Sequence, residues 1–117
     1  MAPRRRPHFL DTVTRLPQAF ALRVAPGGPL LATHATLAGD SPSRRRGLLG
    51  RERLAPGEGL VIAPTQGIHT FGMRFPLDVV FADRLGRVVR IAEAVPPSRV
   101  RLAWRGFAAI ELPAGTC

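Results

Sequence analysis

The segment from Ile68 to Asp83, IHTFGMRFPLDVVFAD, constrains the fold of this chain more than any other part of it. Hydrophobic or aromatic side chains occupy its alternate positions, which is the period-two pattern of a half-buried β-strand. Pro76 interrupts the pattern, and proline cannot donate a hydrogen bond to a neighbouring strand. The segment therefore predicts two strands joined at a bulge, or one strand at the edge of a sheet.

Turn residues predict two hairpins around this segment. The twelve prolines and twelve glycines of the chain favour short strands over long helices. Residues 19–25 and 30–38 are predicted to pair across a Pro-Gly-Gly-Pro turn. Asp78–Phe81 is predicted to pair with Val88–Ile91, because a short connection that contains a glycine joins them.

One short helix and further strands complete the predicted fold. Asp40, Ser41 and Pro42 provide a capping side chain and an early proline, so a helix is predicted from Ser43 to Leu49. Residues 60–63 and 108–112 are apolar runs that end at prolines. Six or seven short strands with one helix predict a mainly β fold, either a small antiparallel β-sandwich or a jelly-roll-like barrel.

The length of 117 residues corresponds to a single domain. Residues 1–17 are basic and interrupted by prolines, so we expect a mobile arm followed by one mainly β domain over residues 18–117. Asp11, Arg15 and Pro17 interrupt the apolar stretch that an export signal would need, and no run approaches the roughly 20 apolar residues of a membrane span. We expect a cytoplasmic protein without membrane association, present as a monomer or as a dimer paired through sheet edges.

The net charge of +9 makes nucleic-acid association one hypothesis for function. The arginines that would contact phosphates are the triplets Arg4–Arg6 and Arg44–Arg46 together with Arg99, Arg101 and Arg105. However, all seventeen basic residues are arginine, and the chain is rich in alanine, proline and glycine, as expected of a GC-rich genome. A solvated basic surface is therefore the favoured interpretation of the charge.

The polar side chains of the central segment are candidates for a site. Asp78 lies in an apolar strand, where a carboxylate needs a backbone donor, an arginine or a histidine as its partner, and a structural role is favoured for it. His69 and Met73 share a face and would suit copper(I), but no third ligand is evident, so neither a metal nor another cofactor is predicted. Cys117 is the only cysteine, which excludes an intramolecular disulfide and a four-cysteine zinc site.

The sequence contains no Gly-x-Ser-x-Gly elbow, phosphate-binding loop or dinucleotide-binding motif. The leading hypothesis is a non-enzymatic domain that binds a small molecule, a glycan or a peptide on a concave sheet face. The predicted ligand-binding residues are His69, Thr70, Phe71, Met73, Arg74, Asp78, Trp104 and Glu111. The alternatives are nucleic-acid association and a small hydrolase-type enzyme that uses Asp78 with His69, or Asp78 with Glu111 as paired carboxylates.

Five blocks of the sequence occur in the order found in a known family. They are GLLGRERLAPGEGLVI, IHTFGMRFPLDVVFAD, GRVVRI, VPP and ELPAGT. Over roughly Leu30 to Thr116, this pattern resembles the family catalogued as domain of unknown function 192. The resemblance implies a compact, mainly antiparallel β domain related to jelly-roll sandwiches, with one short helix and no established activity.

This chain departs from the family pattern in two places. Relatives often carry a cysteine where this chain has residues 65–67, so thiol chemistry is not expected there. Relatives also usually continue beyond the ELPAGT block to a further strand, so we expect either that this chain is truncated or that its sheet lacks a strand, which would leave an exposed edge.

Overall fold

Eight strands in two sheets make up the part of the chain that the computed structural model describes, namely residues 19–24, 30–40, 42, 44 and 47–117. The strands are β1 (Ala19–Arg23), β2 (Leu30–Ala38), β3 (Glu58–Ile62), β4 (Gly67–His69), β5 (Leu77–Ala82), β6 (Val88–Val95), β7 (Val100–Leu102) and β8 (Ala108–Pro113). Six strands form the large sheet, in the order β1-β2-β3-β8-β5-β6, and β4 pairs with β7 in the small sheet. The predicted mainly β fold is confirmed. The large sheet is open, with β1 and β6 at its edges, so the fold resembles a sandwich and not a closed barrel.

Both predicted hairpins are present. β1 pairs with β2, and β5 pairs with β6 with Val80 opposite Ile91, all in antiparallel register. Pro76 directly precedes β5, so it separates β4 from β5 and breaks the central segment into two strands. β2 and β3 are parallel, which the sequence did not indicate, and parallel neighbours need a crossover connection between them.

The predicted helix is shorter than expected. Pro42 and Arg44 are helical, and the Arg44 amide donates a hydrogen bond of 2.9 Å to the Asp40 carbonyl oxygen, as at the start of a helix. Residues 47–50 instead form a turn in which Gly47 and Gly50 have φ angles of 48° and 85°. The prediction that the helix extends to Leu49 is wrong, because a left-handed glycine at position 47 ends right-handed helical geometry. Ser41, Ser43, Arg45 and Arg46 lie outside the described residues.

The central strands of the large sheet, β3, β5 and β8, are buried on both faces. Leu77, Val79 and Phe81 of β5 point to one face, called here the front, where the small sheet contributes Ile68 to the same apolar cluster. Val80 points to the opposite face, the back, and joins a second cluster. Alternation along the strand thus gives β5 two apolar faces, which explains why its sequence is apolar throughout.

The predicted arm over residues 1–17 lies outside the described residues. Within the described part of the chain, no helix has the length and apolar composition needed to cross a membrane.

Candidate functional site

A cavity of about 380 Å³ opens at the front face of the large sheet, beside β4. Most of its wall is apolar, formed by Leu48 and Leu49 of the 47–50 turn, Ile62 at the end of β3, Ile68 of β4, and Met73. Leu48, Ile62, Ile68 and Met73 also belong to the front apolar cluster, so the rigid core of the domain shapes the cavity. The volume lies at the lower end of the range for small-molecule sites.

Glu111 is the most unusual side chain in the wall of this cavity. It lies on β8 opposite Leu60 of β3 and Val79 of β5, so its side chain projects forward between apolar neighbours. Only 5% of the residue is exposed. Among the described residues, no amide, hydroxyl or cation donates a hydrogen bond to its carboxyl group. Burial raises the pKa of Glu111 to about 7, and no charge among the described residues lowers it.

The turn at residues 47–50 passes directly over the Glu111 carboxyl group. A Cβ atom built on Gly47 would lie 4.0 Å from Oε1 of Glu111. Leu48 anchors the turn in the front apolar cluster, while Leu49 reaches toward Gly72 and is partly exposed. The turn therefore holds the apolar wall of the cavity against the buried carboxyl group.

Three of the predicted site residues meet at this cavity: His69, Met73 and Glu111. His69 ends β4, where it pairs with Val100, and its side chain is exposed at the rim. Its ring stacks on Phe71 with a centroid distance of 5.5 Å. Phe71 is 53% exposed and does not line the cavity, so it extends the aromatic surface outward from His69.

Thr70 has a structural role. Its Oγ1 donates a hydrogen bond of 2.6 Å to the Pro96 carbonyl oxygen and accepts one of 2.8 Å from the Arg99 amide. These bonds tie the end of β4 to the connection between β6 and β7. Thr70 is fully buried, and its hydroxyl is not directed at a ligand.

Asp78 is also structural, as the sequence favoured. It points to the back face, opposite Leu112. Its Oδ1 accepts a hydrogen bond of 2.8 Å from the Ala94 amide, and its Oδ2 accepts bonds of 3.1 and 2.8 Å from the amides of Gly115 and Cys117. Ala94 has a φ of 47°, a conformation that is uncommon outside glycine, and its bond to Asp78 stabilises this kink in β6.

The structure does not bring together the side-chain pairs that the enzyme alternatives name. Asp78 lies on the back of the large sheet, whereas His69 and Glu111 line a cavity on its front. Successive residues of a strand point to opposite faces, so a sheet that is buried on both faces separates these groups. Neither the Asp78–His69 pair nor the Asp78–Glu111 pair of carboxylates is formed.

Arg74 and Trp104 lie outside the cavity wall. The Arg74 guanidinium is exposed and lies 3.8 Å from the Glu52 carboxylate. Trp104 is 90% exposed in the turn after β7. The prediction that Trp104 lines a concave sheet face is wrong, because β7 ends at Leu102 and the following turn carries the indole into solvent.

A second cleft of about 500 Å³ is lined by three arginines, Arg84, Arg87 and Arg105. The Arg84 guanidinium lies 5.4 Å from the centroid of the Phe107 ring, and Arg87 forms an ion pair of 2.9 Å with Asp83. The sequence singled out Arg105 but missed Arg84 and Arg87, which belong to the hairpin between β5 and β6.

The other arginines proposed for phosphate binding do not line this cleft. Arg99 and Arg101 donate hydrogen bonds to the carbonyl oxygens of Ser98 and Val100, respectively. Arg4–Arg6 and residues 45–46 lie outside the described residues. Arg44 lines the first cavity instead, where its Nη1 donates a hydrogen bond of 2.7 Å to the Gly39 carbonyl oxygen.

The sequence missed one part of the first cavity, the 47–50 turn. The GLLG motif at this position was assigned to the end of a helix, although its two glycines were a signal for a turn. For metal binding, the described residues bring together no group of three or more His, Cys, Asp or Glu side chains.

Comparison with known proteins identifies the family. No curated protein matches the chain. A protein of unknown function from Novosphingobium aromaticivorans DSM 12444 has a similar structure, with a TM-score of 0.70 and 23% identity over 83% of this chain and 73% of that chain. A protein from Sinorhizobium meliloti 1021, described as a "putative transcription regulator", has a TM-score of 0.71 and 25% identity over 82% of this chain and 79% of that chain. The model of DUF192, described as "Uncharacterized ACR", matches residues 22–117. The chain therefore belongs to the DUF192 family.

Proposed function

We propose that this protein is a binding domain that takes a small organic group into the cavity beside β4. The group is a free molecule or the end of a glycan or a peptide side chain. The observation that supports this proposal is Glu111, a buried carboxyl group in the cavity wall that lacks a hydrogen-bonding partner among the described residues. Among the described residues no fully buried side-chain oxygen lacks a partner, so the unpaired carboxyl group of Glu111 is accessible from the cavity, where a ligand can bind to it.

The composition of the wall supports the same function. Apolar side chains bury the body of a ligand, and a small number of polar groups orient it. Here Leu48, Ile62, Ile68 and Met73 provide the apolar surface, and Glu111 provides the polar contact. All of these apolar residues also pack in the core, so the cavity is formed before a ligand binds.

A ligand screen with a blocked variant tests this function. Small amines, acids, sugars and short peptides are screened by two-dimensional NMR of isotope-labelled protein. Leu49→Trp places a larger side chain at the wall, and we expect it to abolish binding. Leu102→Trp is the matched control, because Leu102 is exposed and lies outside the cavity wall. A screen without any saturable binder, or equal binding by Leu49→Trp, would contradict the proposal.

We propose nucleic-acid association as a second candidate, through the arginine-lined cleft. Two observations favour it: Arg84, Arg87 and Arg105 line one cleft, and one structural relative is described as a "putative transcription regulator". Arginine side chains that line one cleft suit phosphate oxygens, because each presents several donors in a planar fork.

Salt dependence tests this second candidate. Binding to a labelled DNA duplex or RNA strand is measured by fluorescence anisotropy at several salt concentrations. Each phosphate contact that is removed should lower the slope of log affinity against log salt by about one, so the double variant Arg84→Gln/Arg105→Gln should lower it by about two. Arg74→Gln is the control, since Arg74 lies outside this cleft. No binding, or an affinity that is independent of salt, would contradict it.

A further inference from the structure

The chemical class of the ligand follows from Glu111, provided that the cavity is a binding site as proposed above. An ionised carboxylate is strongly unfavourable inside a protein unless a cation or several donors compensate it. Glu111 is flanked by Leu60 and Val79, and the described residues supply neither a cation nor a donor. Within the described part of the chain, Glu111 therefore has no positive group bound to its carboxylate.

We infer that the cavity binds an organic cation, a primary amine with an apolar body, whose ammonium group pairs with the Glu111 carboxylate. An ammonium group has three N–H donors, and it can contact both carboxylate oxygens in the space under the 47–50 turn. The apolar body of such a ligand then lies against Leu48, Ile62 and Met73. This arrangement satisfies the carboxylate and removes apolar surface from water in a single binding event.

The aromatic surface that extends outward from His69 also suits a cationic ligand. Phe71 is half exposed and stacks on His69, which lines the cavity. The face of an aromatic ring attracts an organic cation electrostatically. Phe71 does not line the cavity itself, so this attraction would act on a cation beside His69, outside the cavity.

The other charged groups near Glu111 do not replace this ligand. Of the described residues, Arg44 and His69 are the other charged or titratable side chains in the cavity wall, and the Arg44 guanidinium bonds to the Gly39 carbonyl oxygen. On the neighbouring strands, Glu58 of β3 forms an ion pair with Arg51, and Asp78 of β5 points to the back face. His69 lines the cavity together with Glu111, so a His69 variant is tested separately below.

A neutral or anionic ligand would require the opposite protonation state of Glu111. A ligand with only acceptor atoms needs a protonated Glu111 as the donor, and it would bind more tightly at low pH. A cation needs the carboxylate and binds more tightly at high pH. The direction of the pH dependence therefore separates the two classes.

Three probes with the same ring test the proposal: benzylammonium, benzyl alcohol and benzoate. Binding is followed from the methyl signals of Ile62, Ile68 and Met73, which line the cavity. At pH 8 we expect saturable shifts with benzylammonium, at least about tenfold weaker binding of benzyl alcohol, and no saturable binding of benzoate. Because the pKa of Glu111 is about 7, the affinity for benzylammonium should be about tenfold weaker at pH 6 than at pH 8.

Variants assign the effect to Glu111. Glu111→Gln keeps the shape of the side chain and removes its charge, and we expect it to weaken benzylammonium binding at least about tenfold and to abolish the pH dependence. Glu52→Gln is the matched control, because Glu52 is exposed and outside the cavity wall. His69→Gln should retain the pH dependence. The pH series with the unmodified protein needs no variant, so it tests the proposal even if Glu111→Gln folds poorly.

The outcomes separate this inference from the proposed function. If benzyl alcohol or benzoate binds as tightly as benzylammonium, or if the affinity rises toward low pH, the cavity binds ligands but the cationic class is wrong. If Zn²⁺, Mg²⁺ or Ca²⁺ alone saturates the site and displaces benzylammonium, the organic cation is likewise the wrong ligand class. If neither these probes nor the wider screen binds, the proposed function fails together with the inference.

Discussion

The two buried carboxyl groups of the large sheet have nearly the same burial and opposite surroundings. Asp78 on the back face is 1% exposed and accepts three hydrogen bonds from backbone amides. Glu111 on the front face is 5% exposed, and the described residues donate no hydrogen bond to it. The two residues lie on adjacent strands, β5 and β8. Burial alone therefore does not distinguish a structural acid from a candidate binding group, whereas the presence or absence of partners does.

The removal of Asp78 should give the largest effect on stability. Asp78→Ala leaves three backbone amides without their acceptor and releases the 115–117 segment from β5. We expect a loss of about 4 kcal/mol in the free energy of unfolding, measured by urea denaturation. Glu93→Ala, on the exposed side of β6, should change stability little. If Asp78→Ala cost less than about 1 kcal/mol, its three hydrogen bonds would not make Asp78 a structural acid in contrast to Glu111.

At high pH, the substitution of Glu111 should change the free energy of unfolding in the opposite direction to Asp78→Ala. The folded-state pKa of about 7 lies above the ordinary value of 4.5, so the folded protein holds a proton between these pH values that the unfolded chain has lost. Stability from this group is present at low pH and is lost as the pH rises from about 4.5 through 7, by about 3 kcal/mol in all. Glu111→Gln should remove that slope. Urea denaturation at several pH values between about 5 and 8 measures it, and parallel curves for the two proteins would show that Glu111 is not the buried group described here.

Thr70 tests whether another buried polar group with its own hydrogen-bond partners contributes to the free energy of unfolding, as we expect for Asp78. Thr70→Val keeps the shape of the side chain and removes its bonds to Pro96 and Arg99. We expect a loss of about 2 kcal/mol in unfolding free energy, with ligand binding unchanged. Thr33→Val, at an exposed position, serves as the control in the same denaturation experiment. A loss of ligand affinity without a loss of stability would instead assign Thr70 to the site.

His69 should give the smallest effect on stability and a measurable effect on binding. Its side chain is exposed and its ring contact is with Phe71, so His69→Ala should change the unfolding free energy by less than about 0.5 kcal/mol. Loss of the stacked rim should weaken benzylammonium binding about threefold, as measured by the same methyl shifts. If the variant bound as tightly as the parent, the aromatic rim would have no role in recognition.

Much of the fold was predictable because its signals are local. The hairpin of β5 and β6 depends on a short turn with a glycine, and the break at Pro76 depends on a missing N–H group. The parallel pairing of β2 with β3 and the assembly of β4 with β7 were not predictable in this way, because they join segments that are distant in sequence. The 47–50 turn was misassigned because its leucines suit either a helix or a turn.

The site was predictable only in part. His69 and Met73 were found because they lie in the central segment, and Glu111 was included as a possible carboxylate partner of Asp78. Their meeting at one cavity depends on β8 inserting between β3 and β5. Trp104 was wrongly included because the local pattern of β7 does not show that the chain turns outward after Leu102.

By itself, the sequence determined the mainly β class, the two hairpins, the break at Pro76 and the family. Only the tertiary structure decided that Asp78 is satisfied and Glu111 is not. β5 and β8 are buried on both faces, so their apolar sequences do not reveal which face each acid occupies. The hydrogen-bond donors to Asp78 lie 16, 37 and 39 residues further along the chain. The turn that closes the cavity at Glu111 lies more than sixty residues before Glu111. Whether a buried charge is compensated thus depends on long-range packing, and that dependence makes Asp78 part of the scaffold and leaves Glu111 available for a ligand.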